Sequence, residues 1–208
     1  MTGDRNLNDI QAIIFDLGRV LIDVDLTKGI FKHTQEWRTK SETQILDALM
    51  DNSIYQEYAC GRISAQEFYR EIYERFGLEL SFDQFKQEWN SVFLPISGMT
   101  ELVEQLSSDF KIGLLSDIGP LHWEYLLEHL PVLKKIDKPT LSFQIGYLKP
   151  HPQTYLTAAA NVGTAPEKCL FIDDREVNVR GALEAGMQAI RFENYEKLMQ
   201  EIAQINII

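Results

Sequence analysis

Ile13-Ile14-Phe15-Asp16-Leu17-Gly18-Arg19-Val20-Leu21 is the stretch on which the reading of the whole chain turns. Three apolar residues run into an aspartate, and a glycine follows two positions later. That is the pattern of a buried strand ending at an exposed carboxylate. In open α/β sheets, ligands bind outside the carboxyl ends of the strands. A carboxylate in that place can equally cap a turn or the next helix. The stretch therefore has to be read against the rest of the chain.

Two later runs end the same way. Phe110-Lys111-Ile112-Gly113-Leu114-Leu115-Ser116 is an apolar strand ending in a hydroxyl, and Cys169-Leu170-Phe171-Ile172-Asp173 is one ending in acid, with Asp174 next. Helical patterns lie around them, at Thr100 to Leu106, Leu121 to Leu130 (with Pro131 as its stop), Pro152 to about Asn161, and Asn178 to Ala185 (with Gly186 as its stop). Leu141-Ser142-Phe143 reads as a short strand, Gln188 to Phe192 as a last one, and an amphipathic helix closes the sequence. Strands separated by helices predict parallel pairing through right-handed crossovers, an α/β fold.

Between the first strand and this alternating half the character is different. From about Leu26 to Leu94 the periodicity is helical and no strand stands out. Ser41-Glu42-Thr43-Gln44 and Ser64-Ala65-Gln66-Glu67 have the form of capping boxes. Ile45, Leu46, Leu49 and Met50 follow the first on one helical face; Phe68, Tyr69, Ile72, Tyr73 and Phe76 follow the second, up to a stop at Gly77. Tyr55 and Tyr58 lie on a short helix between the two that Gly61 ends, and Ser81-Phe82-Asp83-Gln84 opens another carrying Phe85, Trp89 and Val92. Aromatic stripes at such spacing are expected in a core. The division predicted is a core of residues 1–24 and 95–208, with residues 25–94 as an inserted helical bundle.

Composition narrows the possible functions. The 208 residues carry 20 Lys and Arg against 31 Asp and Glu, a net charge of −11. Nucleic-acid and anionic-membrane surfaces want clustered cations, so neither is an expected partner. No apolar run is long enough to span a bilayer, and Met1 to Asn6 has no signal-peptide pattern. Cys60 and Cys169 make no disulfide framework, which fits reduced thiols and a cytoplasmic protein. An anionic substrate would need a local cation, either a basic side chain or a metal ion.

The strand ends supply a setting for one. Asp16, Ser116 and the pair Asp173-Asp174 should meet at one edge of the sheet, with Lys149 near them in the turn Gly146-Tyr147-Leu148-Lys149-Pro150. Carboxylates gathered in one pocket repel unless a cation sits among them. Hard oxygen ligands with room for water suit Mg²⁺. A lysine and a hydroxyl can hold a phosphoryl group, and a carboxylate facing it can attack to form an aspartyl-phosphate.

Taken in order, Phe15-Asp16-Leu17-Gly18-Arg19-Val20-Leu21, Leu114-Leu115-Ser116-Asp117, Gly146-Tyr147-Leu148-Lys149-Pro150 and Phe171-Ile172-Asp173-Asp174, with Asn178 and Gly186-Met187, resemble the four motifs of the haloacid dehalogenase-like (HAD) hydrolase superfamily. The likeness covers nearly the whole chain, and the helical insert resembles that superfamily's small helical cap on a Rossmann-like core. The resemblance implies a Mg²⁺-dependent phosphatase acting on a small phosphorylated metabolite. It makes Asp16 the nucleophile and a metal ligand, Gly18 the donor of a backbone carbonyl to the metal, and Asp174 the main acidic ligand. Asp173 is implied as a second ligand, direct or through water, and Ser116 and Lys149 as holders of the phosphoryl oxygens. A monomer or a homodimer would serve this chemistry.

Three positions depart from the family pattern. Its phosphatases usually carry a second aspartate two residues after the nucleophile, which protonates the leaving group and then activates water; here that position is Gly18. General acid–base help is worth about 10²–10⁴-fold. The run Phe-Asp-Leu-Gly followed by Val-Leu-Ile-Asp-Val-Asp resembles a branch that includes sugar phosphatases acting on glucose 1-phosphate, whose leaving group needs less protonation. Arg19 stands where a small or amide residue is usual, and either binds substrate oxygens or points away. Asp117 replaces a common asparagine, and either turns outward, repels phosphate, or supplies the missing acid. Glycine at position 18 also leaves open a phosphometabolite-binding protein without turnover. A metal-independent dehalogenase is a further alternative, against which the Asp173-Asp174 pair argues. The four histidines lack metal-ligand spacing. His122 is expected to pack between helices, His151 to stand near the pocket mouth or in solvent, and Asp23 and Asp25 to serve a hinge or the cap.

Overall fold

The structure, a computed structural model, describes residues 9–33, 39–41, 44, 48 and 52–208. Strand β1 (Ala12–Phe15) is buried at all four positions. Such a strand has no polar face and belongs in the middle of a sheet covered on both sides. It pairs in parallel with β4 (Lys111–Ser116), Phe15 opposite Leu114, and with β6 (Cys169–Asp173), Phe15 opposite Ile172. Parallel pairing extends outward to β5 (Thr140–Leu141) and β7 (Gln188–Arg191), in the order β5-β4-β1-β6-β7.

Because successive residues of a strand face opposite sides, β1 feeds two cores. Ile13 and Phe15 join Leu102, Leu126, Leu170 and Ile202 on one face, and Ala12 and Ile14 join Tyr155, Ala158, Phe171 and Met187 on the other. At Gly113 the end of the helix Pro152–Asn161 sits close on β4, where a Cβ would lie 2.6 Å from Val162 Cγ1 and 3.0 Å from Ile14 Cγ1 of the neighbouring strand. All five strands run the same way, so Asp16, Ser116 and Asp173 arrive at the same edge.

The insert contains helices α1 (Ser53–Ala59), α2 (Ala65–Phe76) and α3 (Phe82–Asn90). The box predicted at Ser64 and Glu67 forms, Ser81 and Gln84 at the start of α3 exchange the same reciprocal bonds, and Gly77 ends α2 in the left-handed region at φ 60°. Ser41 and Gln44 exchange the same bonds, 2.8 and 3.3 Å, while Ile45, Leu46, Leu49 and Met50 lie outside the described residues. Phe68 is the centre of the insert's own core. Its ring stacks on Tyr58 at 4.2 Å and meets Tyr55, Phe85 and Trp89 edge-on.

Two expectations are corrected. The segment read as strandless is flanked by an antiparallel ribbon of β2 (Ile22–Val24) and β3 (Phe93–Pro95), Val24 opposite Phe93. Each strand has three residues, too few for a period-two pattern to show in sequence. The ribbon brings together the two ends of the segment that carries α1 to α3. The strand predicted over Leu141-Ser142-Phe143 stops at Leu141, and the chain turns into the single-turn helix Ser142–Ile145. Its Ser142 hydroxyl accepts from Ile118 N–H at 2.9 Å and donates to the Ala59 carbonyl at 2.6 Å, so the turn joins the core to α1.

The sheet is covered by α4 (Met99–Leu106), α5 (Pro120–His129), α7 (Pro152–Asn161), α8 (Glu176–Glu184) and α9 (Tyr195–Gln204), with Ser142–Ile145 counted as α6. Among the described residues no helix is long and apolar enough to cross a membrane. Both cysteines are buried and free.

Candidate active site

Lys149 is the centre of the site. Its Nζ lies 2.7 Å from Asp16 Oδ1 and 2.7 Å from Asp173 Oδ2, and donates to the Leu115 carbonyl at 3.4 Å. Asp16 follows the last residue of β1 and is held there by its N–H, which donates to the Ile172 carbonyl at 2.8 Å. Asp173 ends β6 with no exposed surface, and its carboxylate also accepts from Arg175 N–H at 2.8 Å and from Asn178 Nδ2 at 3.0 and 3.1 Å. It thus secures the start of α8 and the lysine together.

Asp174 is half-buried beside them. One oxygen each from Asp16, Asp173 and Asp174 lie within 4.8 Å of one another. Three carboxylates facing one ammonium leave an excess of acid. Burial, reinforced by Asp173 and Asp174 against the opposing pull of Lys149, pushes Asp16 up to about 8. Burial and then Asp173 raise Asp174 as well. Burial alone would lower Lys149, but Asp16 and Asp173 outweigh it and its ammonium holds its proton above the ordinary lysine range. Both partners of one ion pair, Lys149 and Asp16, are raised because acids outnumber bases: the lysine stays charged, and Asp16 holds its proton up to about 8. The donor set is all oxygen and short of positive charge, which fits a hard divalent cation.

Ser116, the last residue of β4, is 3% exposed and lines the same cavity. Gly18 lines it too, and a Cβ there would make only an ordinary contact, 3.5 Å from Val24 Cγ2. The missing aspartate is therefore not excluded at its Cβ by steric crowding. Arg19 has φ 60°, a conformation uncommon for residues other than glycine. Its N–H donates to the Ile22 carbonyl at 2.6 Å, and its charge lowers the pKa of Asp174. Arg19 is among the residues that line the cavity.

Asp117 does not turn outward either. Both its oxygens accept from Lys149 N–H, at 3.1 and 3.2 Å, and it is half-buried in the cavity wall. Burial, set against Lys149, pushes its carboxyl up to about 6.

The opposite wall is apolar and comes largely from the insert: Val24, Leu26, Tyr55, Trp89, Val92 and Phe93 enclose a cavity of about 140 Å³. Trp89 and Tyr55, expected only as core, are both buried and part of this wall. Periodicity could not separate the two roles, since both bury the same face. His122 stacks on Trp89 at 4.7 Å, with its Nδ1 2.8 Å from Asn90 Oδ1. Burial lowers it to about 3, so the ring is neutral, and it packs between helices as expected. Arg175 lines the cavity and carried no signal in sequence beyond following Asp173-Asp174. His151 instead caps α7 through Gln153 N–H at 3.2 Å, and its ring lies on Tyr147. Asp25 accepts from Thr27 N–H at 3.0 Å in the turn after β2.

Known proteins resemble this chain in sequence and in fold. D-ribitol-5-phosphate phosphatase of Bacteroides thetaiotaomicron is 29% identical over 203 residues, 94% of this chain and 98% of its own. A HAD-family enzyme of the same organism, solved in complex with magnesium and inorganic phosphate, superposes with a TM-score of 0.77 at 25% identity, covering 91% of this chain and 98% of its own. A HAD-like hydrolase of Porphyromonas gingivalis gives 0.79 at 28% identity, over 95% and 98%. The sequence profile of the haloacid dehalogenase-like hydrolases matches residues 13–192, and the chain belongs to that family.

Proposed function

We propose that this protein is a Mg²⁺-dependent phosphatase that cleaves a small phosphorylated metabolite, a sugar or polyol phosphate, through an aspartyl-phosphate on Asp16. The observation that carries the reading is Lys149 bridging Asp16 and Asp173 at 2.7 Å each, beside Asp174 and Ser116, at the carboxyl edge of the sheet. The relative named for ribitol 5-phosphate, and the similar structure holding magnesium and phosphate, support it. So does a cavity of about 140 Å³, which suits a small leaving group.

In this reading Asp16, Asp174 and the Gly18 carbonyl would hold the ion, with Asp173 contributing directly or through water. The positive charge so supplied offsets the acid excess and the phosphoryl oxygens. Lys149 and Ser116 bind those oxygens and orient phosphorus for in-line attack by Asp16, which bonds to it as the ester oxygen departs. Water then attacks the acyl-phosphate, releasing inorganic phosphate and restoring Asp16. Asp173 keeps Lys149 aimed, and Arg19 reaches substrate oxygens. We take residues 25–94 as the cap, whose Tyr55, Trp89 and Val92 close the cavity against bulk water and select the leaving group.

The test is phosphate release from a panel of sugar, polyol and nucleotide monophosphates, with Mg²⁺ and with chelator, beside Asp16→Asn. Metal-dependent release that the variant loses is expected. Binding of phosphometabolites without release by the wild type would instead favour a binding protein, the reading that Gly18 keeps in view.

A further inference from the structure

The departure at Gly18 leaves the reaction without a proton donor at its usual place, yet the site has to protonate an ordinary alkoxide for most sugar phosphates. Among the described residues lining the cavity, few groups could do so. Asp16 and Asp174 belong, with the fully buried Asp173 behind them, to the carboxylate cluster around Lys149. Arginine does not give up its proton in proteins, which removes Arg19 and Arg175. His122 is neutral, and its Nδ1 is engaged with Asn90. Burial raises the Tyr55 phenol above its ordinary range. One carboxyl group remains, on the residue directly after Ser116.

We propose that Asp117 is the general acid that protonates the leaving group, and the base that activates water in the second step, in place of the side chain Gly18 lacks. This rests on the phosphatase reading of the site. Position supports it in three ways. Asp117 borders the hydroxyl that holds the phosphoryl group in that reading. Its carboxyl is fixed by Lys149 N–H, at 3.1 and 3.2 Å, on the same residue whose Nζ touches Asp16. It is half-buried, in the cavity rather than outside it. The charged and titratable groups around it are Lys149, Asp173, Arg175, Tyr55, Tyr155 and Cys60. With burial as the largest influence, the carboxyl sits at about 6, where a group can both give and take a proton near neutrality.

The proton balance closes. As an Asp16 oxygen bonds to phosphorus and the phosphorus–ester oxygen bond breaks, the Asp117 carboxyl passes its proton to the departing oxygen and becomes a carboxylate. That carboxylate then takes a proton from the water that attacks phosphorus. The Asp16–phosphorus bond breaks, inorganic phosphate leaves, and Asp117 is again a carboxylic acid.

The experiment is single-turnover release of the leaving alcohol from a series of phosphomonoesters, from sugar phosphates to 4-nitrophenyl phosphate, by the wild type, Asp117→Asn and Asp16→Asn. The asparagine keeps an oxygen for Lys149 N–H and removes only the titrating proton. Release from sugar phosphates is expected to fall by about 10²–10⁴-fold in Asp117→Asn, and release of 4-nitrophenol, which needs no proton, by under about tenfold. Equal losses on all substrates would mean that Asp117 merely positions Lys149, and no loss would mean it does nothing; either overturns the proposal. A wild type that releases no alcohol, or an Asp16→Asn that still does, would overturn the phosphatase reading and this inference with it. The wild type gives a second measure without any variant: above about pH 6 its rate should decline on sugar phosphates and not on 4-nitrophenyl phosphate. Identical pH profiles for the two substrates would count against Asp117.

Discussion

Lys149 shows how one side chain can govern a site. It is 6% exposed and the partner of two buried carboxylates, with a third nearby. Removing one member of a buried ion pair leaves an uncompensated charge and costs about 3–5 kcal/mol. Lys149→Met should therefore destabilise the metal-free protein by about that much in urea unfolding at neutral pH. Asp16, pushed up to about 8, already holds its proton at neutral pH, so the penalty should shrink on acidification as Asp174 takes up its own; a variant as stable as wild type would contradict the role given to Lys149. Asp16, Ser116, Asp173, Asp174 and Lys149 were legible in the sequence, because strand-end polar groups and a turn lysine declare themselves locally. The inward orientation of Asp117 was not, since it is fixed by a backbone N–H 32 residues away. Nor was the left-handed backbone at Arg19.

The elements of the insert are set by caps and stops that sequence displays: Ser64 with Glu67, Ser81 with Gln84, and Gly77. What it does not display is how the insert is seated. Tyr58 of α1 accepts from Leu121 N–H at 2.9 Å, and its ring lies against Gly119, where a Cβ would stand 2.1 Å from Cε1. Such a contact joins residues far apart in the chain and leaves no pattern in either. Gly119→Ala should force Tyr58 off its stack on Phe68 and cost about 1–3 kcal/mol, an overpacking penalty. It should lower turnover as well, since α1 carries Tyr55 into the cavity wall; unchanged stability would mean the seat is looser than described. His122 joins α5 to α3 through Trp89 and Asn90. Its ordinary value is near 6.5 and burial depresses it to about 3. A base depressed in the fold contributes stability above its unfolded pKa, and that stability is lost as pH falls. Unfolding free energy should thus decline between pH 6.5 and about 3 by at most about 1.4 kcal/mol per pH unit on this account. His122→Phe, which retains a ring against Trp89, should flatten that slope whatever it does to stability at neutral pH; an unchanged slope would exclude His122 as its source.

The whole molecule carries a net charge of −11 and concentrates three carboxylates at the functional edge of its sheet. A divalent cation binding there should stabilise the fold by mass action, by about 2.7 kcal/mol at a hundredfold excess over its Kd. Thermal unfolding should accordingly shift upward with Mg²⁺ and return with chelator, and the shift should largely vanish in Asp174→Asn; a full shift in the variant would place the ion elsewhere. The parallel α/β architecture was legible from three apolar runs ending in polar residues, and the matching order of strands and helices bears that reading out. The ribbon of β2 and β3 was not, because three-residue strands are stabilised by their partner and not by a pattern of their own.

The central claim is that Asp16 carries the phosphoryl group during turnover. The most direct measurement is to quench the reaction with acid under Mg²⁺ and substrate, reduce any acyl-phosphate with borohydride, and map the reduced residue by peptide mass spectrometry. Reduction at Asp16, absent when chelator replaces Mg²⁺, is the expected result. Steady phosphate release with no reduction at Asp16, or with reduction at another carboxylate, would contradict it.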